Sequence, residues 1–380
     1  MDVPEADLSA DLRGFGGGCL VRAGGHEKRG GRRSVGAEVA RHTTILEWEA
    51  DEFMQRPKMN RWWPAVAGTL MVWAMSARTA EMTFAERLGW KAGDVVVILH
   101  IDDGGMHHAS NRGVIETHEK GVASSFAIMM PCPWVPEIVR YLRDHPTLDS
   151  GLHLTLTSEW ESYRWGPVAG RPAVPGLVDP EGCLPRNVAA VVARATPDEV
   201  ERELRAQIER AEGFGIPITH LDSHMGTLFA RAEFFERYLK LGAEKQIPIL
   251  APGGHLRWAS QENAEAVQSL RPIIPRIWNA GLPVIDDLHT GSYSWPPAEK
   301  TQRLVQLLES LEPGVTEILF HASVPTDDFP RVTGSSESRA ADTRALTSPE
   351  VRQVLERKGI IRTSWRELME RRRKAAPMVP

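Results

Sequence analysis

Cysteine is scarce in this chain. The 380 residues hold three, Cys19, Cys132 and Cys183, with no C-x-x-C spacing, so no disulfide framework is implied. A Cys132–Cys183 pair stays open. An excess of positive charge is also missing. The net charge is −5, which argues against nucleic acid as a partner, because phosphate binding needs a basic footprint. No G-x-G-x-x-G follows the first strong strand, as an open dinucleotide-binding fold would want. Beyond the N-terminal region no apolar run approaches the roughly 20 residues that a membrane span requires. Internal repeats and heptad arrays are absent as well.

The N-terminal region differs from the rest. Residues 1–58 contain "GFGGG" and "AGGHEKRGGRR" with little apolar periodicity. They read as a disordered leader, or as a stretch translated from a start codon placed too far upstream. Residues 59–77, "MNRWWPAVAGTLMVWAMSA", have a methionine, Arg61 and a short apolar run. Ala74 and Ser76 follow at the small-x-small spacing of a cleavage site. That is the layout of a secretory signal peptide starting at Met59. The expectation is a secreted or periplasmic protein, cytoplasmic otherwise, with no stable membrane insertion once the signal is removed.

What is present is a core-forming composition, 42% hydrophobic and 25% charged, and regular patterning over residues 90–372. "DVVVILHI" is a β-branched run suited to a strand buried on both faces. "VASSFAIMM", "GLHLTLT", "PITHLDSH", "IPIL", "LPVIDDLH", "VTEILFHA" and "IIR" read as further strands. Amphipathic segments separate many of them. In "TPDEVERELRAQIERAEGFG", Thr196 is the expected N-cap, Pro197 the first helical residue and Glu199 the partner in a capping box. Strands alternating with helices imply a parallel sheet, and a (β/α) barrel fits better than an open sheet.

In barrels the functional groups lie at the carboxyl ends of the strands. Asp102 and Asp103 end the first strand, His153 lies in the third, and His220, Asp222 and His224 close the fourth. Asp286, Asp287, His289 and His321 close later ones. None of these ends carries Lys or Arg. Adjacent carboxylates without a cation repel, so one would protonate. A divalent ion held by one aspartate and two neutral imidazoles removes that penalty. Zinc would also lower the pKa of a bound water to roughly 7. His107 and His108 read as loop residues, and His118 and His145 as surface or packing residues.

Three stretches taken together, "HIDDGGMHHASNRGVIETHEKGVASSFAIM", "HPTLDSGLHLTLTSEW" and "PITHLDSHMGTL", resemble the YdjC-like carbohydrate deacetylases. The downstream "EILFHASVPTDD" and "SRAADTRALTSPEVRQVLERKGIIRTSWRELM" are similar to that family's C-terminal block, and the resemblance covers about residues 94–370. It implies a distorted seven-stranded TIM-like barrel and one divalent metal ion, Zn or Mg, on Asp103, His153 and His224. Asp102 would be the base, His321 would protonate the leaving amine, and Arg339 and Asp342 match polar positions. The backbone N–H groups of the Gly104–Gly105 turn would help stabilise the oxyanion. Two departures stand out. Gly104 replaces a common aromatic, and "DSHMGTL" keeps His224 while losing later histidines.

The implied function is a metal-dependent hydrolase removing acetyl groups from an N-acetylated sugar or related amide. Its partner is a small-molecule or oligosaccharide substrate, for which Trp160 and Trp165 of "SEWESYRWGPVAG" offer stacking surfaces. The alternatives are hydrolysis of another amide or ester on the same site, and a non-catalytic saccharide-binding barrel. A binding module has no need of Asp102 beside Asp103, or of His321 on a far strand.

Overall fold

Ten residues, Val95–Gly104, form β1, and every one from Val96 onward is buried. The structure is a computed structural model and describes residues 82–377; the expectations for residues 1–58 and 59–77 lie outside the described residues. Around β1 stand β2 (Ser125–Ile128), β3 (Ser150–Leu154) and β4 (Ile218–Ser223). β5 (Asp287–His289), β6 (Gly314–Phe320) and β7 (Ile361–Arg362) follow. All pairings are parallel. The order is β4-β3-β2-β1-β6-β5, with β7 paired to the start of β1.

This is an α/β fold whose parallel sheet curls into a half-barrel, and among the described residues no ladder joins β4 to β5. The reason lies in "IPIL". That segment makes single bridges only, Ile249 to Leu221 on one side and Pro252 to Ile285 on the other. Pro248 and Pro252 carry no N–H, so a ladder cannot extend through them.

Register places the site. β1 and β6 run in step from Val95–Gly314 to Ile101–Phe320, so Asp102 and His321 emerge as neighbours one residue later. β3 and β4 pair His153 with Asp222 and Leu154 with Ser223, which sets His224 one residue beyond. The helices on the outside hold this register. Pro197–Phe214 starts with the expected Thr196–Glu199 capping box and ends on Gly215 in the left-handed conformation. Of the helices that were not expected, Arg257–Leu270 and Ser336–Thr347 are the longest. Among the described residues no helix is long and apolar enough to cross a membrane. Cys132 and Cys183 are free thiols, so the pair left open by the sequence does not form.

Asp286 and Asp287, grouped by sequence with the strand-end cluster, have other duties. The fully buried Asp286 carboxylate accepts from the backbone N–H groups of Phe84, Ala85 and Val315 at 2.7, 3.0 and 2.8 Å. Asp287 accepts from the Trp258 and Ala259 N–H groups at the start of helix Arg257–Leu270. Both carboxylates tie segments together and neither lines the central cavity. Asp286→Ala leaves those three buried donors unpaired and is expected to destabilise the fold by about 3 kcal/mol or more. Chemical denaturation measures this, and a loss below about 1 kcal/mol would contradict it.

Candidate metal centre

The strand ends open into a cavity of about 610 Å³. Asp103 lies at its floor, buried, with φ +65°, a conformation uncommon outside glycine. The next residue must pass close to β2, since a Cβ on Gly104 would sit 2.9 Å from the Ala127 carbonyl oxygen. Together these turn the Asp103 carboxylate inward.

Its two oxygens have different surroundings. Oδ2 accepts from Arg339 Nη1 at 2.6 Å. Oδ1 has no hydrogen-bond partner and instead faces His153 Nε2 at 3.6 Å and His224 Nδ1 at 3.4 Å. Each imidazole is held from behind by a carboxylate. His153 Nδ1 lies 2.6 Å from Asp222 Oδ1, and His224 Nε2 lies 3.2 Å from Glu159 Oε2. A proton on each outer nitrogen leaves the inner lone pairs aimed at Asp103 Oδ1, the arrangement that orients metal-ligating histidines.

The spacing fits a shared ion. Donors about 2.0–2.1 Å from a tetrahedral zinc lie about 3.3–3.4 Å from one another. With an ion bound, both imidazoles would be neutral, their outer N–H groups on the carboxylates and their inner nitrogens free to ligate. Two other groups also have ligand atoms close enough together, His100–His220–Asp222 and Asp102–His153–Asp222. Neither His100, His220 nor Asp222 lines the cavity, and Asp222 is already bonded to His153.

Electrostatics follows from burial and partners. Burial opposes charge on Asp103, but Arg339 together with His224 and His321 holds its pKa well below the usual carboxylate range. Burial would depress His224; Glu159 and Asp103 outweigh it and raise its pKa to about 10. For His321, burial and the Arg339 charge outweigh the pull of Asp103 and Asp102 and take its pKa down to about 4. It is therefore neutral at pH 7.

Asp102 stands beside the triad. Its Oδ1 lies 3.2 Å from His100 Nε2, and its Oδ2 lies 3.6 Å from His321 Nε2. The His321 backbone N–H donates to Asp342, whose other oxygen accepts from Lys300 Nζ at 2.6 Å. Asp342 thus fixes the end of β6 from behind and does not line the cavity. Trp165 is also buried away from it, its Nε1 donating to the Thr157 carbonyl while its ring packs edge-on to Trp160. Trp160 and Arg339 do line the cavity. Arg339 lies between the Trp160 and Tyr293 rings, at 5.8 and 5.7 Å. The Gly104–Gly105 turn offers less than expected, because the Gly105 N–H is bonded to Asn111 Oδ1 at 2.7 Å.

Sequence reasoning gave no role to Glu159 or His100, and none to Asp222 beyond membership of the strand-end cluster. Asp222 and His100 carry a usable signal, since each lies two residues before a site residue on a strand and so faces the same way. Glu159 lies on a loop and carries none, while Tyr293 sits in the short 3-10 helix Gly291–Ser294.

A family model described as YdjC-like protein matches residues 96–357. A carbohydrate deacetylase of Thermus thermophilus is 33% identical over 278 residues, 72% of this chain and 94% of that protein. A carbohydrate deacetylase of Thermoanaerobacter pseudethanolicus is 25% identical over 269 residues, 71% of this chain and 97% of that protein. Among solved structures, an Enterococcus faecalis protein assigned by name to cellobiose-phosphate cleavage aligns with TM-score 0.60 and 26% identity. That alignment covers 72% of this chain and 99% of the other.

Proposed function

The chain belongs to the YdjC-like family, and from that premise we propose that it is a metal-dependent hydrolase removing the acetyl group of an N-acetylated sugar. The observation that carries this reading is the unpartnered Asp103 Oδ1 facing two histidines whose outer nitrogens are held by carboxylates. Relatives named carbohydrate deacetylases support the substrate class. The catalytic domain spans residues 90–372. The bridges at Ile249 and Pro252 support reading its half-barrel as a distorted seven-stranded ring. Export directed by residues 59–77 remains part of the proposal.

Asp103, His153 and His224 would hold the ion, and two imidazoles with one carboxylate suit zinc better than the oxygen-seeking magnesium. When bound, a divalent ion supplies Lewis acidity toward an amide carbonyl and lowers the pKa of water. The protein's own groups do the rest. Asp102 accepts the proton of the attacking water through Oδ2, the oxygen turned toward His321. Neutral His321 receives that proton across 3.6 Å and delivers it to the departing nitrogen. The depressed pKa of His321 suits this order, because a histidine charged at rest could not accept. Arg339 keeps Asp103 ionised, and Trp160 with Tyr293 gives a sugar ring aromatic surface.

Acetate release from N-acetylglucosamine and its oligomers tests the reading. Activity is expected to vanish with chelator and to return with a single added divalent metal. Silence across the panel in protein carrying a full complement of metal would contradict it.

A further inference from the structure

The cavity has two halves of opposite character. Near β1 and β6 it is polar and aromatic, with Asp102, His321, Tyr293, Arg339 and Trp160. Across from them, over β5 and the 249–252 segment, the wall is Phe229, Leu250, Val267, Leu270 and Leu288. Val267 and Leu270 belong to helix Arg257–Leu270. Leu256, Ala259 and Val267 form a small cluster of their own, packed on Leu288 and separate from the main core. The helix therefore roofs this half of the cavity without filling it.

Glu262 and the Asn263 side-chain carbonyl in the apolar half already have partners. Glu262 accepts from the Thr290 N–H, the Thr290 hydroxyl and the Gly291 N–H, and pairs with His289. Asn263 Oδ1 accepts from the Ala266 N–H. A sugar ring placed there would give up hydrogen bonds to water for few replacements. The ring belongs instead against Trp160, Arg339 and Tyr293, with its nitrogen toward His321. The carbonyl carbon then sits beside Asp103, His153 and His224. The remaining substituent on that carbon points away from the nitrogen, across the cavity toward Phe229 and Leu250. An acetyl methyl would leave most of that space to water.

We propose that the apolar half is an acyl-chain subsite and that the protein hydrolyses N-acyl amino sugars with chains longer than acetyl. This rests on the hydrolase reading above. The amide C–N bond breaks, water gives its hydroxyl to the acyl carbon and a hydrogen to the nitrogen, and the resulting acid ionises as the amine is protonated. The products are a medium-chain carboxylate and an amino sugar.

Each methylene moved from water onto such a wall strengthens binding about fourfold. The full chain, loaded with metal, is assayed for kcat/KM on glucosamine carrying acetyl, butanoyl, hexanoyl or octanoyl groups. A parallel series holds the acetyl group and lengthens an alkyl glycoside. The first series is expected to rise by about tenfold or more with chain length. Ala266→Trp, which fills the roof, should cut the ratio of octanoyl to acetyl turnover by a similar factor.

Acetyl turnover with no gain from longer acyl chains overturns the subsite and leaves the hydrolase reading standing. A gain confined to the alkyl glycosides assigns the apolar half to the leaving side and also overturns it. Calorimetric binding of octanoate against acetate needs no turnover. Octanoate is expected to bind about tenfold tighter or more, an advantage lost in Ala266→Trp. Equal affinities overturn the subsite whatever the sugars do.

Discussion

Asp102→Asn is expected to keep full metal occupancy and to lower kcat by about 10²- to 10⁴-fold, the range typical of a lost general base. The substitution preserves shape in a position that is 4% exposed and keeps an oxygen able to accept from His100. It removes the charge and the ability to take a proton on the oxygen nearest His321. Asp102 is not among the atoms gathered around Asp103 Oδ1, so metal content, read by elemental analysis, should stay at the wild-type level. Wild-type kcat in this variant would remove Asp102 from the base role. Loss of metal along with activity would make it a ligand instead.

His224→Ala is expected to lose metal and activity together, with acetate release falling to the level of chelated wild type. The truncation removes one of the two imidazoles and leaves Glu159, which lines the cavity, without its 3.2 Å partner. The raised His224 pKa adds a pH signature. With its pKa near 10, His224 is protonated at pH 7 in the empty site and must lose that proton to ligate. Wild-type metal affinity should therefore weaken as pH falls from 9 to 6, about tenfold per unit for each proton displaced. A pH-independent affinity in the wild type would contradict the ligand role of His224.

Much of this architecture was legible in the residues. The β-branched run of β1 and the capping box at Thr196 and Glu199 are local signals, and they formed as local physics requires. The strand-end rule brought Asp102, Asp103, His153, His224 and His321 to one cavity. It could not separate them from Asp286 and Asp287, which also end a strand but spend their oxygens on backbone N–H groups from distant segments. Only tertiary contacts distinguish an aspartate that joins segments from one that faces a cavity.

Helix Ser336–Thr347 escaped notice for a related reason. It buries Arg339 and Asp342 along with Ala340, Ala341, Ala345 and Leu346, so no clean apolar stripe marks it in the sequence although the helix serves the site directly. Helix Arg257–Leu270 is polar through "SQENAE" and is entered by Leu256 in a left-handed conformation, its Trp258 and Ala259 N–H groups capped by the distant Asp287. Its apolar face shows its purpose only against Leu288 and the cavity. Trp165 misled in the opposite sense. An aromatic in a loop with Trp160 suggests stacking on a sugar, but its hydrogen bond to Thr157 and its packing place it underneath.

The central claim is that Asp103, His153 and His224 together hold one divalent ion. Anomalous diffraction at the metal absorption edge, from crystals grown with zinc, tests it most directly. The account predicts a single strong peak about 2.0–2.2 Å from Asp103 Oδ1, His153 Nε2 and His224 Nδ1. A peak at His100, His220 and Asp222, or no peak in protein that hydrolyses its substrate, would contradict it.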